Sequence, residues 1–354
     1  MKYILKPKAT LQGSIKKLHL NSERKNKIKL DLNENLMGCS LKVIEALKKV
    51  TYDEISMYPE YDTFMNKLAL YLNLERNNLM ITNGADEALR VIMDTYLDKG
   101  DEIIIPIPTF YIFESYSEII GAKKKFVYYN NDLSFPVENI LDNINNNTKM
   151  IAIVNPNNPT GTLIERQAII RILDKAKNSI VLLDEAYFQF SNKSCKDLIN
   201  SYNNLIIVQT FSKGFGLAGV RLGYIISNEN IIQNLKKIVL PFEVNGLSII
   251  AGSAALEDLD FVDHYVNLVK DNRSYLLNEL DKIGVRIFQS DANFIVANFG
   301  KNLDIVFNKL NEKNILVHNV SNLPLLDGCL RIAIGTKNQM ETLVHEIKDV
   351  LNEI

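Results

Sequence analysis

The sequence has few cysteines and no excess of either charge. Its 354 residues include three cysteines, Cys39, Cys195 and Cys329, which lie far apart and form no Cys-x-x-Cys pair. This number and spacing argue against a disulfide framework and against a zinc site, so we expect free thiols and no bound metal. The net charge of −2 indicates no basic or acidic surface for nucleic acid or membranes.

Targeting and membrane-spanning patterns are absent as well. No window approaches the roughly 18 to 20 apolar residues that a membrane-spanning helix needs. The first eight residues lack the apolar core of a signal peptide. We therefore expect a cytoplasmic protein, in keeping with its free thiols. The length and a hydrophobic content of 47% suit two domains with a sizeable core.

Short apolar segments alternate with helical patterns over most of the chain. Strands that are apolar throughout are typical of a sheet covered on both faces, and their alternation with helices predicts a mostly parallel sheet in a three-layer αβα arrangement. The predicted strands span residues 79–82, 103–105, 150–154, 180–183, 205–208 and 222–226.

The C-terminal part of the chain has a different pattern. It predicts a long amphipathic helix over residues 261–283 and a last helix over 339–351. Four short strands are predicted between them, at residues 285–288, 294–297, 315–318 and 330–334. We predict an arm over residues 1–40, a large domain over 41–245 and a smaller α+β domain over 246–354.

Polar clusters directly follow five of the predicted strands. The carboxyl ends of parallel strands meet at one edge of a sheet, where open α/β folds bind ligands. Packing alone does not explain why five polar clusters fall at these positions. The clusters are Asn83–Asp86, Pro108–Tyr111, Asn155–Gly161, Asp184–Tyr187 and Ser212–Lys213.

Two of these clusters contain groups suited to pyridoxal phosphate (PLP). Lys213 precedes Gly214, Phe215 and Gly216, and partial burial there would lower the pKa of its amine and let it form a Schiff base. Asp184 would face a protonated pyridine nitrogen, because a buried carboxylate needs a cationic partner. A surface lysine and a helix-capping aspartate are the ordinary roles of these residue types, but the combination outweighs them.

The remaining candidates suit other parts of the same cofactor. Gly84, Ala85 and Asp86 open a predicted helix, whose free N–H groups can hold a phosphate. Arg221 adds a bidentate contact to that phosphate, and Ser212 adds a hydroxyl. The side chains suited to the ring are two hydrogen-bond donors and one stacking face, Asn158, Tyr187 and Phe110.

Several of these residues form motifs that occur in a known order and spacing. The motifs for PLP are Asn158–Gly161, Asp184–Tyr187 and Ser212–Lys213 followed by Arg221. Further motifs mark a subgroup, and they are Leu32–Asn35, Tyr58–Glu60, Gly84–Glu87, Phe211–Lys213 with Leu217–Arg221, and Gly328–Arg331. With these motifs the chain resembles the fold-type-I PLP aminotransferases, and within them the histidinol-phosphate aminotransferase group, over nearly its whole length.

The resemblance implies a role for each motif residue. Lys213 would form the internal aldimine and then shuttle protons, and Asp184 would pair with the pyridine nitrogen. Arg331 would bind the carboxylate of the amino donor, with Asn33 nearby, and Tyr58 would reach the phosphate held by the other subunit of a homodimer. The resemblance also implies that Asn158 and Tyr187 bind the ring oxygen and that Phe110 stacks on the ring. The implied phosphate contacts are Ala85, Asp86, Ser212 and Arg221. The implied reaction moves an amino group from glutamate to imidazole-acetol phosphate, or the reverse, through pyridoxamine phosphate.

Three departures from the group concern the substrate. His318 stands where the family usually has an arginine for the substrate's phosphate, and histidine is not always charged at pH 7 and lacks the bidentate fork. The arm reads Leu11–Ser14 in place of a Pro-Tyr segment that contacts substrate, and Leu36-Met37 replaces a frequent proline. The cofactor half of the motif set is therefore intact, and the substrate half is altered.

Other functions also have to be weighed. Related enzymes share the cofactor motifs, so an amino-alcohol phosphate transaminase, a threonine- or serine-phosphate decarboxylase and a general amino-acid aminotransferase stay open. A PLP-binding transcription regulator needs a DNA-binding module that 30 polar residues cannot supply. A Schiff-base aldolase on a (β/α)8 barrel has no need of Asp184. Gly214–Gly219 spells a dinucleotide-binding pattern, but it precedes a strand and not a helix.

Overall fold

The computed structural model describes residues 22–353, and this part of the chain contains two β-sheets. Their strands, in chain order, are β1 (Ile28–Leu30), β2 (Leu79–Thr82), β3 (Glu102–Ile107), β4 (Lys123–Tyr128), β5 (Thr148–Val154), β6 (Ile180–Asp184), β7 (Leu205–Thr210), β8 (Gly223–Ser227), β9 (Arg286–Phe288), β10 (Phe294–Asn298), β11 (Ile315–Asn319) and β12 (Cys329–Ala333). The large sheet has the order β2-β8-β7-β6-β5-β3-β4, and the small sheet has the order β1-β11-β12-β10-β9.

Helices connect most of these strands. They are α1 (Leu41–Lys48), α2 (Tyr52–Ser56), α3 (Asp62–Leu72), α4 (Gly84–Tyr96), α5 (Ile112–Ile120), α6 (Val137–Asn143), α7 (Arg166–Lys175), α8 (Phe188–Ser191), α9 (Glu229–Leu235), α10 (Gly246–Leu256), α11 (Leu259–Lys282), α12 (Leu303–Glu312) and α13 (Lys337–Asn352). Short 3-10 turns lie at Ser22–Asn26, Arg76–Asn78, Lys196–Asn200, Ala218–Val220 and Gly300–Asn302. No helix in residues 22–353 is both long and apolar enough to cross a bilayer.

The large sheet is mostly parallel, as predicted. Strands β3, β4, β5, β6 and β7 pair in parallel, and only β8 runs against both of its neighbours, β2 and β7. Because β8 is antiparallel to both, β2 and β7 point the same way. The carboxyl ends of β2, β3, β5, β6 and β7 therefore lie along one edge.

Helices cover both faces of this sheet. In β6, Val181 and Leu183 pack into a core that includes Ile172 of α7, whereas Leu182 packs into a second core that includes Ile92 of α4. This alternation places successive side chains of a strand on opposite faces. The arrangement is the predicted three-layer αβα fold with an additional, smaller α+β region built on the small sheet. The predicted fold class is confirmed.

Two strands were not predicted. β4 reads Lys123-Lys124-Lys125 before its apolar residues, and charged residues hide the alternation on which strand prediction depends. Lysines suit an edge strand because they discourage pairing with another chain. The other is β1, which lies in the predicted arm and pairs in parallel with β11, aligning Leu30 with Val317. The arm thus contributes to the small sheet, and the division at residues 40 and 245 stays a prediction.

Candidate active site

The polar clusters predicted from the sequence meet at the carboxyl edge of the large sheet. The clusters that begin at Asn83, Pro108 and Asn155 directly follow β2, β3 and β5. The cluster that begins at Asp184 starts on the last residue of β6, and Ser212 lies two residues after the end of β7. The backbone links two of these strand ends, because the Asn155 N–H donates to the Asp184 carbonyl at 2.7 Å. The positions predicted for the five clusters therefore correspond to one region of the fold.

Asp184 ends β6 as a buried carboxylate. Its residue is only 3% exposed, and its Oδ1 accepts a hydrogen bond from the Ala186 N–H at 3.0 Å. The pKa of this carboxyl is raised to about 7, chiefly by burial. The hydrogen bond from Ala186 and the charge of Lys213 act to lower this pKa, and Asp86 and Glu185 act to raise it. Within residues 22–353 no lysine or arginine forms an ion pair with Asp184. A buried acid in this state favours a cationic partner.

Lys213 follows β7 and is half-buried. Its Nζ donates to the Leu32 carbonyl at 3.1 Å and lies 5.7 Å from the centre of the Tyr187 ring. Leu32 belongs to the segment that leaves β1 and crosses to the large sheet. The amine is therefore held between the two sheets, next to an aromatic ring, where an aldehyde could reach it.

The start of α4 forms an anion site with Arg221. Gly84 has φ +80°, and a Cβ there would lie 2.6 Å from Arg221 Nη2, so only glycine lets the guanidinium come this close. Arg221 Nη2 donates to Asp86 Oδ2 at 2.9 Å. The first N–H groups of the helix, including that of Ala85, have no partner within the helix. Together with the guanidinium they favour a phosphate.

Ser212 lies on the strand end next to this anion site. It is buried, and its hydroxyl accepts a hydrogen bond from Thr210 Oγ1 at 3.0 Å. The neighbouring strand β8 begins at Gly223, where a Cβ would lie 2.6 Å from the Gly84 carbonyl carbon. The absence of a side chain at Gly223 therefore lets α4 begin directly against the sheet.

Four further predicted residues form one hydrogen-bonded network. Asn33 Nδ2 and Asn158 Nδ2 approach the Tyr187 hydroxyl at 3.1 and 3.5 Å. Arg331 Nη1 donates to Asn158 Oδ1 at 2.6 Å, and its other terminal nitrogen donates to the Asp31 carbonyl. Burial lowers the pKa of Arg331 from its usual value. The network therefore joins both sheets and brings a desolvated guanidinium to the tyrosine beside Lys213.

Buried polar atoms in this network still lack partners. Arg331 Nε and Asn33 Oδ1 are buried and make no hydrogen bond within the described part of the chain. Leaving such groups unpaired costs about 1 to 3 kcal/mol each. They favour a polar ligand that offers an acceptor to Arg331 and a donor to Asn33.

Three predicted residues lie at other positions. Phe110 is half-buried, and its ring contacts that of Tyr111 edge-on, with centroids 5.0 Å apart. Tyr58 is 80% exposed, and its ring stacks on Phe242 with centroids 4.3 Å apart. His318 in β11 is the cross-strand neighbour of Arg331 in β12. The Leu11–Ser14 segment lies outside the described residues.

Sequence reasoning missed several contributors. The carbonyls of Asp31 and Leu32 accept from Arg331 and Lys213, and backbone atoms leave no signature in residue types. Asn293 is fully buried and donates to the Asn33 carbonyl at 3.1 Å, which holds the same segment. The signal that was available for Asn293 is a polar side chain immediately before the apolar strand β10.

The residues present fit PLP on three counts. Asp184 needs a cation, and a protonated pyridine nitrogen is one. The start of α4 with Arg221 needs an anion, and a phosphate is one. Lys213 supplies an amine for the aldehyde. No other predicted ligand class satisfies a buried carboxylate, a helix N-terminus and a half-buried lysine at one sheet edge.

Known proteins are similar to this chain in sequence and in fold. The family model described as aminotransferase class I and II matches residues 25–347. A histidinol-phosphate aminotransferase from Thermoanaerobacter sp. (strain X514) is 36% identical over 328 residues, which cover 91% of this chain and 93% of that protein. One from Caldanaerobacter subterraneus subsp. tengcongensis is 35% identical over 333 residues, covering 92% and 93%.

A solved structure supports the fold. The histidinol-phosphate aminotransferase from Sinorhizobium meliloti in complex with pyridoxal-5'-phosphate matches with a TM-score of 0.88 and 22% identity, covering 99% of each chain. The likeness at this identity concerns the fold, and the curated relatives carry the argument about family.

The buried acid generates a prediction about stability without cofactor. The pKa of Asp184 is raised from 3.8 to about 7 on folding, so the folded state holds the proton more tightly and loses stability as the pH rises between these values. We expect PLP-free Asp184→Asn to be more stable than the PLP-free wild type near pH 8, by at most about 4 kcal/mol, and equally stable near pH 4.

Urea unfolding of both PLP-free proteins at the two pH values measures this difference. The comparison cancels the titration of Glu185, which is present in both proteins. A PLP-free wild type as stable as Asp184→Asn near pH 8 would contradict the account.

Proposed function

Because the chain belongs to the class I and II aminotransferase family, we propose that it transfers an amino group between glutamate and the oxo form of histidinol phosphate, with Lys213 as the catalytic residue. It is a PLP-dependent aminotransferase of the type found in histidinol-phosphate aminotransferases, and the prediction of this family is confirmed. The observation that supports the residue roles best is the carboxyl group of Asp184, which is buried and forms no ion pair with a lysine or arginine of the described residues. It lies at the same edge of the sheet as Lys213.

Each cofactor contact follows from the chemistry of the side chain. Lys213 Nζ is the amine that binds PLP covalently. Asp184 keeps the pyridine nitrogen protonated, because its carboxylate is stable in this buried site only beside a cation. When bound, PLP supplies an electron sink that stabilises negative charge at the carbon next to the amine. Asn158 and Tyr187 donate to the ring oxygen, and Phe110 stacks on the ring.

The phosphate of PLP would lie at the start of α4. The N–H groups of Gly84, Ala85 and Asp86 point out of the helix, and the helix dipole favours an anion there. Arg221 contributes two parallel hydrogen bonds, and its present partner Asp86 is exposed enough to turn away. Ser212 contributes its hydroxyl. Three kinds of donor would thus hold the group, namely backbone N–H groups, a guanidinium and a hydroxyl.

The amine substrate would bind through Arg331. Its unpaired Nε can donate to the substrate carboxylate of glutamate, and the unpaired Oδ1 of Asn33 can accept a hydrogen bond from a donor of the same substrate. Lys213 Nζ would hold and move the proton at the substrate carbon. The Leu32 carbonyl, 3.1 Å away, orients the amine for this step.

The phosphate of histidinol phosphate would contact His318. This residue is half-buried and lies across the strand pair from Arg331, so the two side chains can serve one substrate. A neutral imidazole donates one hydrogen bond where an arginine donates two with a full charge. We therefore expect a phosphorylated amine to bind here more weakly than at a site with arginine.

Histidinol phosphate, phosphoserine, threonine phosphate, serinol phosphate and glutamate form a donor panel that tests the substrate. We expect histidinol phosphate to react fastest with the PLP form, as followed by its visible absorbance. We further expect His318→Arg to raise kcat/KM for histidinol phosphate about tenfold and to leave glutamate within about twofold, because glutamate has no phosphate.

The control for this substitution is His345→Arg, an exposed histidine on α13. His345→Arg should leave kcat/KM for histidinol phosphate and for glutamate unchanged. Preference for phosphoserine, threonine phosphate or serinol phosphate over histidinol phosphate would refute the substrate, and an equal gain for glutamate would refute the phosphate contact of His318.

An exposed apolar surface supports a homodimer. Six large apolar side chains on α1, α2 and the neighbouring loops are each between 64% and 85% exposed, namely Leu41, Tyr52, Ile55, Met57, Tyr58 and Leu240. Large exposed apolar side chains close together along the chain, as at Ile55, Met57 and Tyr58, are typical of an interface. We infer that a second copy covers it and that Tyr58 of one subunit reaches the PLP phosphate of the other.

Mixing two inactive variants tests this arrangement. Lys213→Ala and Tyr58→Ala should each lose most activity, Lys213→Ala entirely. After unfolding and refolding together, half of the dimers are mixed, and each mixed dimer has one site with both native residues. We therefore expect about a quarter of the wild-type activity. If Tyr58 served the site of its own subunit, mixing would restore nothing, and a monomer in sedimentation would refute the dimer.

A further inference from the structure

A chain of buried polar side chains crosses three strands behind the site. Glu185 directly follows β6, Gln209 lies in β7 and Tyr224 lies in β8, and all three are fully buried. The Tyr224 hydroxyl donates to Gln209 Oε1 at 2.7 Å, and Gln209 Nε2 donates to Glu185 Oε2 at 2.7 Å. Gln209 Nε2 also donates to Ser194 Oγ at 3.2 Å. The chain therefore links β8, β7 and the end of β6 through side chains.

This chain lies on the sheet face opposite the carboxylate of Asp184. Side chains alternate along β6, so Glu185 points to the core that holds Leu183, and Asp184 points to the core that holds Leu182. Tyr224 packs in the same core as Leu183. The three polar residues therefore do not contact the proposed PLP site, and the mechanism makes no use of them.

The acidic end of the chain is fully hydrogen-bonded. Glu185 Oε1 accepts from the Cys195 N–H at 2.8 Å, and Oε2 accepts from Ser194 Oγ at 2.5 Å as well as from Gln209. The pKa of Glu185 is raised to about 7, because burial outweighs the lowering effect of these three donors and Lys196. Buried polar groups cost free energy that apolar side chains of similar size would not. A complete network does, however, fix one arrangement of its members.

Each member is close along the chain to a proposed cofactor contact. Glu185 is the residue after Asp184, and Gln209 lies four residues before Lys213. Tyr224 lies three residues after Arg221 and follows Gly223, which touches the start of α4. A shift of one strand along its axis would break the chain and displace that strand's contact.

We propose that Glu185, Gln209 and Tyr224 are positioning residues that fix the relative offset of the three strand ends that hold PLP. The proposal rests on the assignment of Asp184, Lys213 and Arg221 to the cofactor. It predicts that a small change in this chain weakens PLP binding more than it weakens the folded protein.

Tyr224→Phe tests this with the loss of one hydroxyl. The matched control is Tyr129→Phe, a buried tyrosine next to the edge strand β4. We expect Tyr224→Phe to raise the Kd for PLP about tenfold, the equivalent of one hydrogen bond, and Tyr129→Phe to change it less than about twofold. The Kd comes from titrating PLP-free protein, and the unfolding midpoint of the same PLP-free samples reports any general loss of stability.

A double-mutant cycle separates a connected chain from independent packing effects. If the chain acts as one unit, Gln209→Leu together with Tyr224→Phe should raise the Kd no more than the larger single change. The proposal would be overturned if the double variant raised the Kd for PLP by the product of the two single fold-changes. It would also be overturned if Tyr224→Phe lowered the unfolding midpoint but left the Kd within about twofold of wild type. If Gln209→Leu does not fold, Glu185→Gln replaces it, since it keeps the shape and turns an acceptor into a donor.

Asp184→Ala distinguishes failure of the proposal from failure of the site assignment. If Asp184→Ala binds PLP as the wild type does, the assignment itself is wrong. If Asp184→Ala weakens binding and Tyr224→Phe does not, the assignment stands and the positioning role is wrong.

Discussion

A carboxylate that is removed from water without a cation is the constraint on which the site depends. Asp184 is 3% exposed, and one backbone N–H is its only hydrogen-bond donor in the described chain. Burial raises its pKa to about 7, so without a ligand the group is poised between acid and carboxylate. A protonated ring nitrogen would resolve this conflict, because it would supply the missing charge and remain protonated in return.

The same edge of the sheet also carries a positively charged site, formed by Arg221 and the start of α4. Gly84 and Gly223 lack side chains where α4 meets β8, and this absence lets Arg221 approach the free N–H groups of the helix. A carboxylate site and a phosphate site at the same edge of the sheet suit one ligand with a cationic and an anionic end. Lys213 follows the strand between them, since β7 lies between β6 and β8.

The sequence predicted the parts that depend on one strand end each. Lys213, Asp184 and Gly84 follow apolar runs, and the carboxyl ends of such strands converge in any parallel sheet. Contacts between residues that lie far apart in the sequence could not be predicted from it. Nothing in the residue types indicates that the Leu32 carbonyl meets Lys213, or that Asn293 holds the Asn33 segment.

Other limits have different physical causes. The lysines of β4 serve an edge strand and therefore hide the periodicity that predicts a strand. Tyr58 is 80% exposed within its own chain, so its role depends on a second copy that the sequence can only imply. His318 is one of the three departures from the family pattern on the proposed substrate side, and the fold holds it beside Arg331 without selecting its ligand.

The protonation state of the PLP ring nitrogen tests the central claim most directly. PLP labelled with 15N at this position can be bound to the protein and its chemical shift followed by NMR from mildly acidic to mildly alkaline pH. The pairing with Asp184 predicts a protonated nitrogen throughout in the wild type and an unprotonated one in Asp184→Ala at the alkaline end. An unprotonated nitrogen in the wild type at neutral pH would contradict the account.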